Sequence, residues 1–141
     1  MISFSCPSRG RPELAKRVVE TAESTAKHDV EILFYLNDDD PKLAQYKDLL
    51  DKKYYTVGPN QSTCYSWNIL ANKSKHDIVM LMGDDVQVQT QDWDQLILEQ
   101  FSEYKDKILM VVPSDGRMKG TMRIKADKPT LWGDTVLPAA H

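Results

Sequence analysis

The chain has 141 residues, of which 41% are hydrophobic and 28% are charged, and its formal net charge is -3. These proportions are ordinary for a globular protein and exclude a disordered chain; no stretch approaches the ~18 apolar residues of a bilayer span. The small negative charge and the absence of a long basic run argue against nucleic-acid binding through phosphate contacts. We expect one domain over residues 1–141, without a signal peptide or integral membrane segment, and a cytoplasmic location.

Taken in chain order, short apolar segments alternate with helical patterns. Residues 2–6 alternate apolar and small polar side chains, which is typical of a strand with two different faces. Residues 78–82 are continuously apolar and predict a central strand buried on both faces. Further strands are predicted at residues 31–36, 54–57, 86–90 and 108–112, and an antiparallel hairpin or sheet edge at residues 121–125 and 130–137.

Four helices are predicted between these strands. Each begins at a proline or at a polar residue suited to an N-cap: Pro12, Asp40 before Pro41, Ser62 or Thr63, and Thr90 or Asp92. Their apolar faces are formed by Leu14, Val18, Val19 and Ala22; by Leu43, Tyr46 and Leu50; by Cys64, Trp67, Leu70 and Ala71; and by Trp93, Leu96, Ile97, Phe101 and Tyr104.

This alternation predicts an α/β fold, a three-layer α/β/α sandwich around a mostly parallel sheet. Ligands of such sheets bind beyond the carboxyl ends of the strands, and the polar residues of this chain fall there. Their convergence from four strands on one edge predicts a binding site. The residues concerned are Pro7, Ser8 and Arg9 after the first strand; Asn37, Asp38 and Asp39 after the second; Asn60 after the third; and Asp84 and Asp85 after the fourth.

Asp84 and Asp85 stand side by side after Gly83, directly behind the apolar strand. Two adjacent carboxylates repel each other unless a cation lies beside them. Mg²⁺ and Mn²⁺ take oxygen ligands, and Mg²⁺ is commonly held by one or two carboxylates together with substrate phosphates and waters. The competing interpretation is a solvated Gly-Asp-Asp turn, because glycine and aspartate are common turn residues.

The other polar residues also have plainer interpretations. Asp38, Asp39 and Asp40 suit the solvated start of a helix, where negative charge is favourable. Asn60 is a common turn former. Arg9 and Arg11 flank a helix N-terminus, an unfavourable place for cations, and this makes at least one of them, with Arg9 preferred, a candidate for anion binding. The competing interpretation is that both are solvated at the surface.

The order of four motifs resembles family 2-type glycosyltransferases with the GT-A fold, a Rossmann-like fold of nucleotide-diphospho-sugar transferases. The resemblance covers about residues 1–115. It implies transfer of a sugar from a nucleotide-diphosphate donor, with UDP as the expected nucleotide, to an unidentified acceptor by an inverting mechanism. The motifs are Ser-Cys-Pro-Ser-Arg-Gly-Arg-Pro after the first strand, Asn-Asp-Asp-Asp-Pro after the second, Gly-Pro-Asn before the Trp67 helix, and the DXD-like Met-Gly-Asp-Asp-Val after the fourth strand.

The resemblance also implies roles for individual residues. A nucleotide-sugar donor and a divalent cation, Mn²⁺ or Mg²⁺, are the expected ligands. By this resemblance Pro7 and Arg9 border the nucleotide, Asp38 or Asp39 reads the base, Asn60 lines the nucleotide pocket, Asp84 faces ribose or sugar hydroxyls, and Asp85 ligates the metal, with Asp84 as a second candidate ligand.

The chain departs from the family in two respects. Met82 stands where the acidic motif usually carries a further acid, and no residue matches the catalytic base, which in the family belongs to a C-terminal acceptor half. The alternative interpretation is therefore a catalytically incomplete module that binds nucleotide and metal. A partner chain, a homo-oligomer or the missing half would complete it. Trp132 is a candidate for stacking on a sugar.

Overall fold

A computed structural model describes residues 1–105, 109–112 and 122–125. The chain divides into two compact units, Met1–Gln95 and Leu96–His141. A single domain over the whole length stays a prediction, and residues 130–137, with Trp132, lie outside the described residues. Among the helices of the described residues, none has the length and apolar character to cross a bilayer.

The first unit is built on a parallel sheet, which confirms the α/β class. Its strands lie in the order β3-β2-β1-β4, so the chain runs from β1 outward and then returns to the other side of β1. The elements are β1 (Ile2–Ser8), α1 (Pro12–Thr25), β2 (Glu31–Asn37), α2 (Leu43–Leu49), a 3-10 turn (Lys52–Tyr54), β3 (Tyr55–Gly58), α3 (Thr63–Lys73) and β4 (Ile78–Leu81), and α4 (Trp93–Ser102) begins at the end of this unit.

One face of the sheet packs against α1, α2 and Trp93. The ring of Phe4, fully buried on β1, meets the ring of Trp93 edge-on at a centroid distance of 6.3 Å. The Trp93 Nε1–H donates to the carbonyl of Ala22 in α1 at 3.0 Å. Because side chains alternate between the two faces of a strand, β1 directs Phe4 to the face that Trp93 covers.

The opposite face of the sheet lies under α3. Ser3 alternates with Phe4 along β1, and its hydroxyl accepts a hydrogen bond from Ser74, which directly follows α3, at 2.7 Å. Tyr35 of β2 meets Tyr65 of α3 edge-on at 6.1 Å. Helices therefore cover both faces of the sheet in Met1–Gln95, as the three-layer prediction required.

The prediction that β4 is a central strand buried on both faces is wrong for the described sheet. β4 lies at an end of the four-stranded order and pairs with β1, and its residues are half-buried or, at Leu81, 50% exposed. The strand predicted at residues 86–90 is also absent, although its side chains alternate in polarity. The backbone N–H of Val88 instead donates to the hydroxyl of Thr21 in α1, at 3.3 Å. Tertiary hydrogen bonding overrides the local pattern there.

The helix faces are partly as predicted. The hydroxyl of Ser62 caps α3 by accepting from the backbone N–H of Tyr65 at 3.2 Å. Cys64 and Ala71 are exposed, however, because α3 turns Ser66 and Leu70 toward the sheet. Leu96 of α4, predicted to face the core, is 49% exposed.

The second unit contains an antiparallel pair, β5 (Leu109–Val112) and β6 (Met122–Lys125). Leu109 lies opposite Lys125, and Val112 lies opposite Met122. The predicted strand at residues 108–112 is thus confirmed within one residue. Residues 122–125 pair antiparallel with that strand, whereas their predicted pairing partner, residues 130–137, is outside the described part of the chain.

Candidate functional site

The acidic turn, residues 83–85, lies beside the carboxyl end of β1. The turn follows β4, which is the hydrogen-bonded neighbour of β1. The pairing extends beyond β4 to the backbone N–H of Met82, which donates to the carbonyl of Ser5 at 3.0 Å. The strand order reverses between β1 and β4. In open parallel sheets this reversal opens a crevice at the carboxyl ends of the strands, and ligands bind in it.

Asp84 of the acidic turn is fully buried and is held by two side chains. The hydroxyl of Ser8, the last residue of β1, donates to its Oδ2 at 2.5 Å. The Arg11 Nη2 lies 2.6 Å from its Oδ1; the guanidinium is not aligned for a hydrogen bond there, so this contact is an ion pair. A buried carboxylate is costly unless it is paired and hydrogen-bonded, and these two contacts meet that need.

Tyr46 of α2 completes this buried arrangement. Its Oη lies 2.6 Å from the Ser8 Oγ and accepts the backbone N–H of Arg11 at 2.8 Å. Burial raises the pKa of the Tyr46 hydroxyl, which therefore keeps its proton and can donate. We call the four residues Ser8, Arg11, Tyr46 and Asp84 the polar clamp.

Asp40 links the turn between β1 and α1 to the start of α2. Its carboxylate accepts the backbone N–H of Gly10 at 2.7 Å and that of Lys42 at 2.8 Å. Gly10 has a φ of +71°, a conformation that favours glycine. The prediction that Asp40 caps a helix from Pro41 is therefore corrected, because α2 begins at Leu43 and Asp40 instead closes the turn before it.

An exposed cluster joins the ends of β1, β2 and β3. Arg9 forms an ion pair with Asp39, and the Asn60 Nδ2 donates to the second oxygen of Asp39 at 3.1 Å. The hydrogen bond from Arg9 lowers the pKa of Asp39, which is consequently ionised at neutral pH. The convergence of these three strand ends, expected from the sequence, is therefore present.

Two exposed carboxylates at this edge are unpaired within the part of the chain that the structure describes. Asp38 and Asp85 make no side-chain hydrogen bond or ion pair with the described residues, although the Asp38 N–H donates to the Gly58 carbonyl at 2.8 Å. A Cβ added to Gly83 would lie 2.7 Å from the Asp85 Oδ1, so glycine leaves room for that carboxylate. The Asp85 backbone carbonyl lies 3.5 Å from the Arg17 Nη2, which donates to it.

The remaining predicted site residues lie within strands. Pro7 is half-buried and pairs in register with Tyr35. Asn37 is 8% exposed, and its carbonyl accepts the Asp40 N–H at 3.2 Å. Of the predicted set, the structure thus brings Arg9, Asp39 and Asn60 into one exposed cluster and Ser8 and Asp84 into the buried clamp beneath the edge.

The sequence interpretation missed two members of the clamp. The sequence pattern places Tyr46 on an apolar helix face, and it offers Arg11 only as the less favoured candidate, after Arg9, for anion binding. A signal for Tyr46 did exist, because a buried tyrosine hydroxyl almost always requires a hydrogen-bond partner. Nothing in the local sequence indicates that the partner is Ser8, which lies 38 residues away.

The described residues contain no group of three or more His, Cys, Asp or Glu side chains placed to hold a metal ion. Asp84 is engaged by the clamp, which leaves Asp85 as the exposed acid of the motif. Mg²⁺ and Mn²⁺ are commonly bound through one or two carboxylates, with phosphate oxygens and waters filling the other positions. The residues at this edge fit a cation that arrives with a phosphate ligand.

Comparison of the chain with protein-family models, with curated protein sequences and with solved structures returned no match.

Proposed function

We propose that the chain binds a nucleotide-diphosphate sugar, with UDP as the nucleotide, together with Mn²⁺ or Mg²⁺, and that it is an inverting glycosyltransferase of the GT-A type. One observation carries the proposal. The exposed carboxylate of Asp85, unpaired among the described residues, lies in the turn that follows β4, at the point where the strand order reverses, and Arg9 follows the neighbouring strand β1.

The diphosphate is the group that this edge suits best. A divalent cation, when bound, offsets the negative charge that develops on a diphosphate leaving group. Asp85 would hold that cation, and Arg9 would contact a phosphate oxygen. The ion pair of Arg9 with Asp39 is exposed and therefore weak, so a phosphate can replace the carboxylate or share the Arg9 guanidinium with it.

The base is expected at the other end of the edge. Asp38 follows β2 and has an exposed carboxylate that can accept an N–H of a nucleobase such as uracil. Asn60 follows β3 and supplies an amide beside Asp39. The distance from β4 to β2, two strands away, is about 9–10 Å at the usual strand spacing, which suits a ligand with phosphates at one end and a base at the other.

Calorimetric titration tests this proposal. UDP is titrated into the protein with Mn²⁺ and again with EDTA, and GDP serves as the comparison nucleotide. We expect binding only with the metal, because without a cation the exposed carboxylate of Asp85 repels the diphosphate, whereas a bound cation takes oxygen ligands from both. Absence of binding for both nucleotides would contradict the proposal.

A transfer assay then separates the enzyme from the alternative. Release of UDP from a UDP-sugar, with or without an acceptor, supports a glycosyltransferase. Metal-dependent binding of UDP without any turnover instead supports an incomplete module that requires a partner chain or a further segment for the catalytic base.

The variant Asp85→Asn tests the assigned ligand. We expect UDP affinity in the presence of Mn²⁺ to fall by at least about 100-fold, since the protein's contact with the cation is lost. The thermal unfolding midpoint should not change, because the side chain is exposed. Asp77→Asn, which removes an equal charge from an exposed residue before β4, is the matched control and should bind like the wild type.

A further inference from the structure

We propose that Tyr46 is a positioning residue for the Asp85 carboxylate, and that it acts through Ser8 and Asp84 without touching the ligand. Tyr46 is fully buried on α2. The proposal rests on the proposed function for its ligand, but its central observation is the polar clamp.

The hydrogen bonds of the clamp run in one direction. The Tyr46 Oη accepts the Arg11 N–H at 2.8 Å, so its own proton is free to go to the Ser8 Oγ at 2.6 Å. The Ser8 hydroxyl proton in turn goes to Asp84 Oδ2 at 2.5 Å. Each hydroxyl therefore both accepts and donates, and the chain of donors ends on a carboxylate.

This arrangement fixes the orientation of Asp84. One of its oxygens is held by Ser8 and the other by the charge of Arg11. Because Asp85 is the next residue, the direction in which its side chain leaves the backbone follows from that anchor. The Arg17 Nη2 also donates to the Asp85 carbonyl, at 3.5 Å.

The Tyr46 hydroxyl is the member of the clamp that can be removed with least disturbance. Phenylalanine keeps the buried ring and its packing, whereas the loss of the oxygen leaves the Arg11 N–H and the Ser8 Oγ without a partner they have in the wild type. Ser8 then keeps only its hydrogen bond to Asp84, so its rotamer and the orientation of Asp84 are less firmly held. The expected consequence is a more mobile acidic turn rather than an unfolded core.

Tyr46→Phe is compared with Tyr54→Phe as the matched control. The Tyr54 hydroxyl likewise donates a hydrogen bond of 2.6 Å, to Glu23 Oε1, but that bond is exposed and lies outside the clamp. Two readouts are taken on both variants and on the wild type. They are amide hydrogen exchange across the ligand-free chain and UDP affinity with Mn²⁺.

For Tyr46→Phe we expect faster exchange confined to residues 83–86 and the turn before α1, and UDP affinity lowered by about tenfold, the size typical for a group that orients a metal ligand. Tyr54→Phe should change neither readout. Ser8→Ala breaks the same chain one step closer to Asp84 and should reproduce the local pattern; it also decides the matter should Tyr46→Phe fail to fold.

Two results of the exchange measurement would overturn the inference. One is unchanged exchange at residues 83–86 in both clamp variants; the other is exchange that rises equally in α3, which would mean a general loss of stability. If the wild type binds no UDP, the proposed function fails, but the exchange measurement still decides whether Tyr46 orders the acidic turn. If the wild type binds UDP and Tyr46→Phe binds it equally well, the proposed function stands and the positioning role fails.

Discussion

Two aspartates are almost completely buried, Asp84 at 0% and Asp94 at 1% exposure. Asp84 lies beyond the carboxyl ends of the strands, whereas Asp94 contacts the loop that precedes β2, at the opposite end of the sheet. Asp94 accepts the backbone N–H groups of Lys27 and His28 at 2.7 and 3.0 Å, and its Oδ2 lies 2.7 Å from the His28 Nδ1. Asp84 is held instead by the side chains of Ser8 and Arg11. The two residues are equally buried but have different structural roles. Asp94 closes the loop before β2, whereas Asp84 anchors the turn that carries Asp85.

The largest expected effect on stability is that of Asp94→Ala. Two backbone N–H groups and the His28 ring lose their acceptor, so the free energy of unfolding should fall by about 3 kcal/mol. Urea denaturation followed by tryptophan fluorescence measures it. UDP affinity should be unchanged below the unfolding transition. A loss of less than about 1 kcal/mol would contradict the role assigned to Asp94.

Asp84→Asn should have a smaller effect on stability and a larger one on binding. The amide keeps the volume and can still accept from Ser8, but it removes the charge that pairs with Arg11, and we expect a loss of about 2 kcal/mol. UDP affinity with Mn²⁺ should fall about tenfold. The isosteric change at the other end of the sheet, Asp94→Asn, is the control. The contrast between the two sites is lost if it weakens UDP binding equally.

The pH dependence of stability sharpens the same contrast. Burial alone would raise the pKa of Asp94, but the hydrogen bonds from Lys27 and His28 outweigh it and hold the pKa below the usual value of ~3.9. Since the folded pKa is the lower one, this contribution to stability is present above the unfolded pKa. It is lost as the pH falls through the folded value.

Urea denaturation of the wild type and of Asp94→Asn over a series of pH values at and below 4 measures this contribution. The difference in unfolding free energy between the two proteins should shrink steadily as the pH falls. A difference that stays constant over this range would show that the Asp94 carboxylate does not titrate differently in the folded and unfolded chains.

The smallest expected effect is that of Gly83→Ala. The new Cβ would lie 2.7 Å from the Asp85 Oδ1, and the free end of a flexible side chain can move, so the unfolding free energy should change by less than about 0.5 kcal/mol. UDP affinity with Mn²⁺ should fall about threefold because the carboxylate is displaced. The same substitution made in Asp85→Asn should have no further effect on affinity, which a double-mutant cycle measures.

Much of the fold could be predicted because its signals are local. The apolar segments, the Pro12 start of α1 and the Ser62 cap are readable within a few residues, and each appears in the structure. The error at β4 has a physical cause as well. An apolar segment predicts that a strand forms, but the burial of that strand depends on the strands and helices beside it. In the described sheet β4 is an edge strand, and Leu81 is therefore half exposed.

The sequence by itself determined that polar groups follow four strands in succession and that a parallel sheet would bring them to one edge, because the side-chain pattern and the turn residues act locally. The tertiary structure decided which of two adjacent acids is buried. Asp84 accepts a hydrogen bond from Ser8, 76 residues earlier in the chain, whereas Asp85 is exposed to solvent. The difference depends on the side chains of Ser8 and Arg11, which β1 and the turn after it place 2.5 to 2.6 Å from the Asp84 carboxylate. Such contacts cannot be predicted from the local sequence, because they form only when the strands pair.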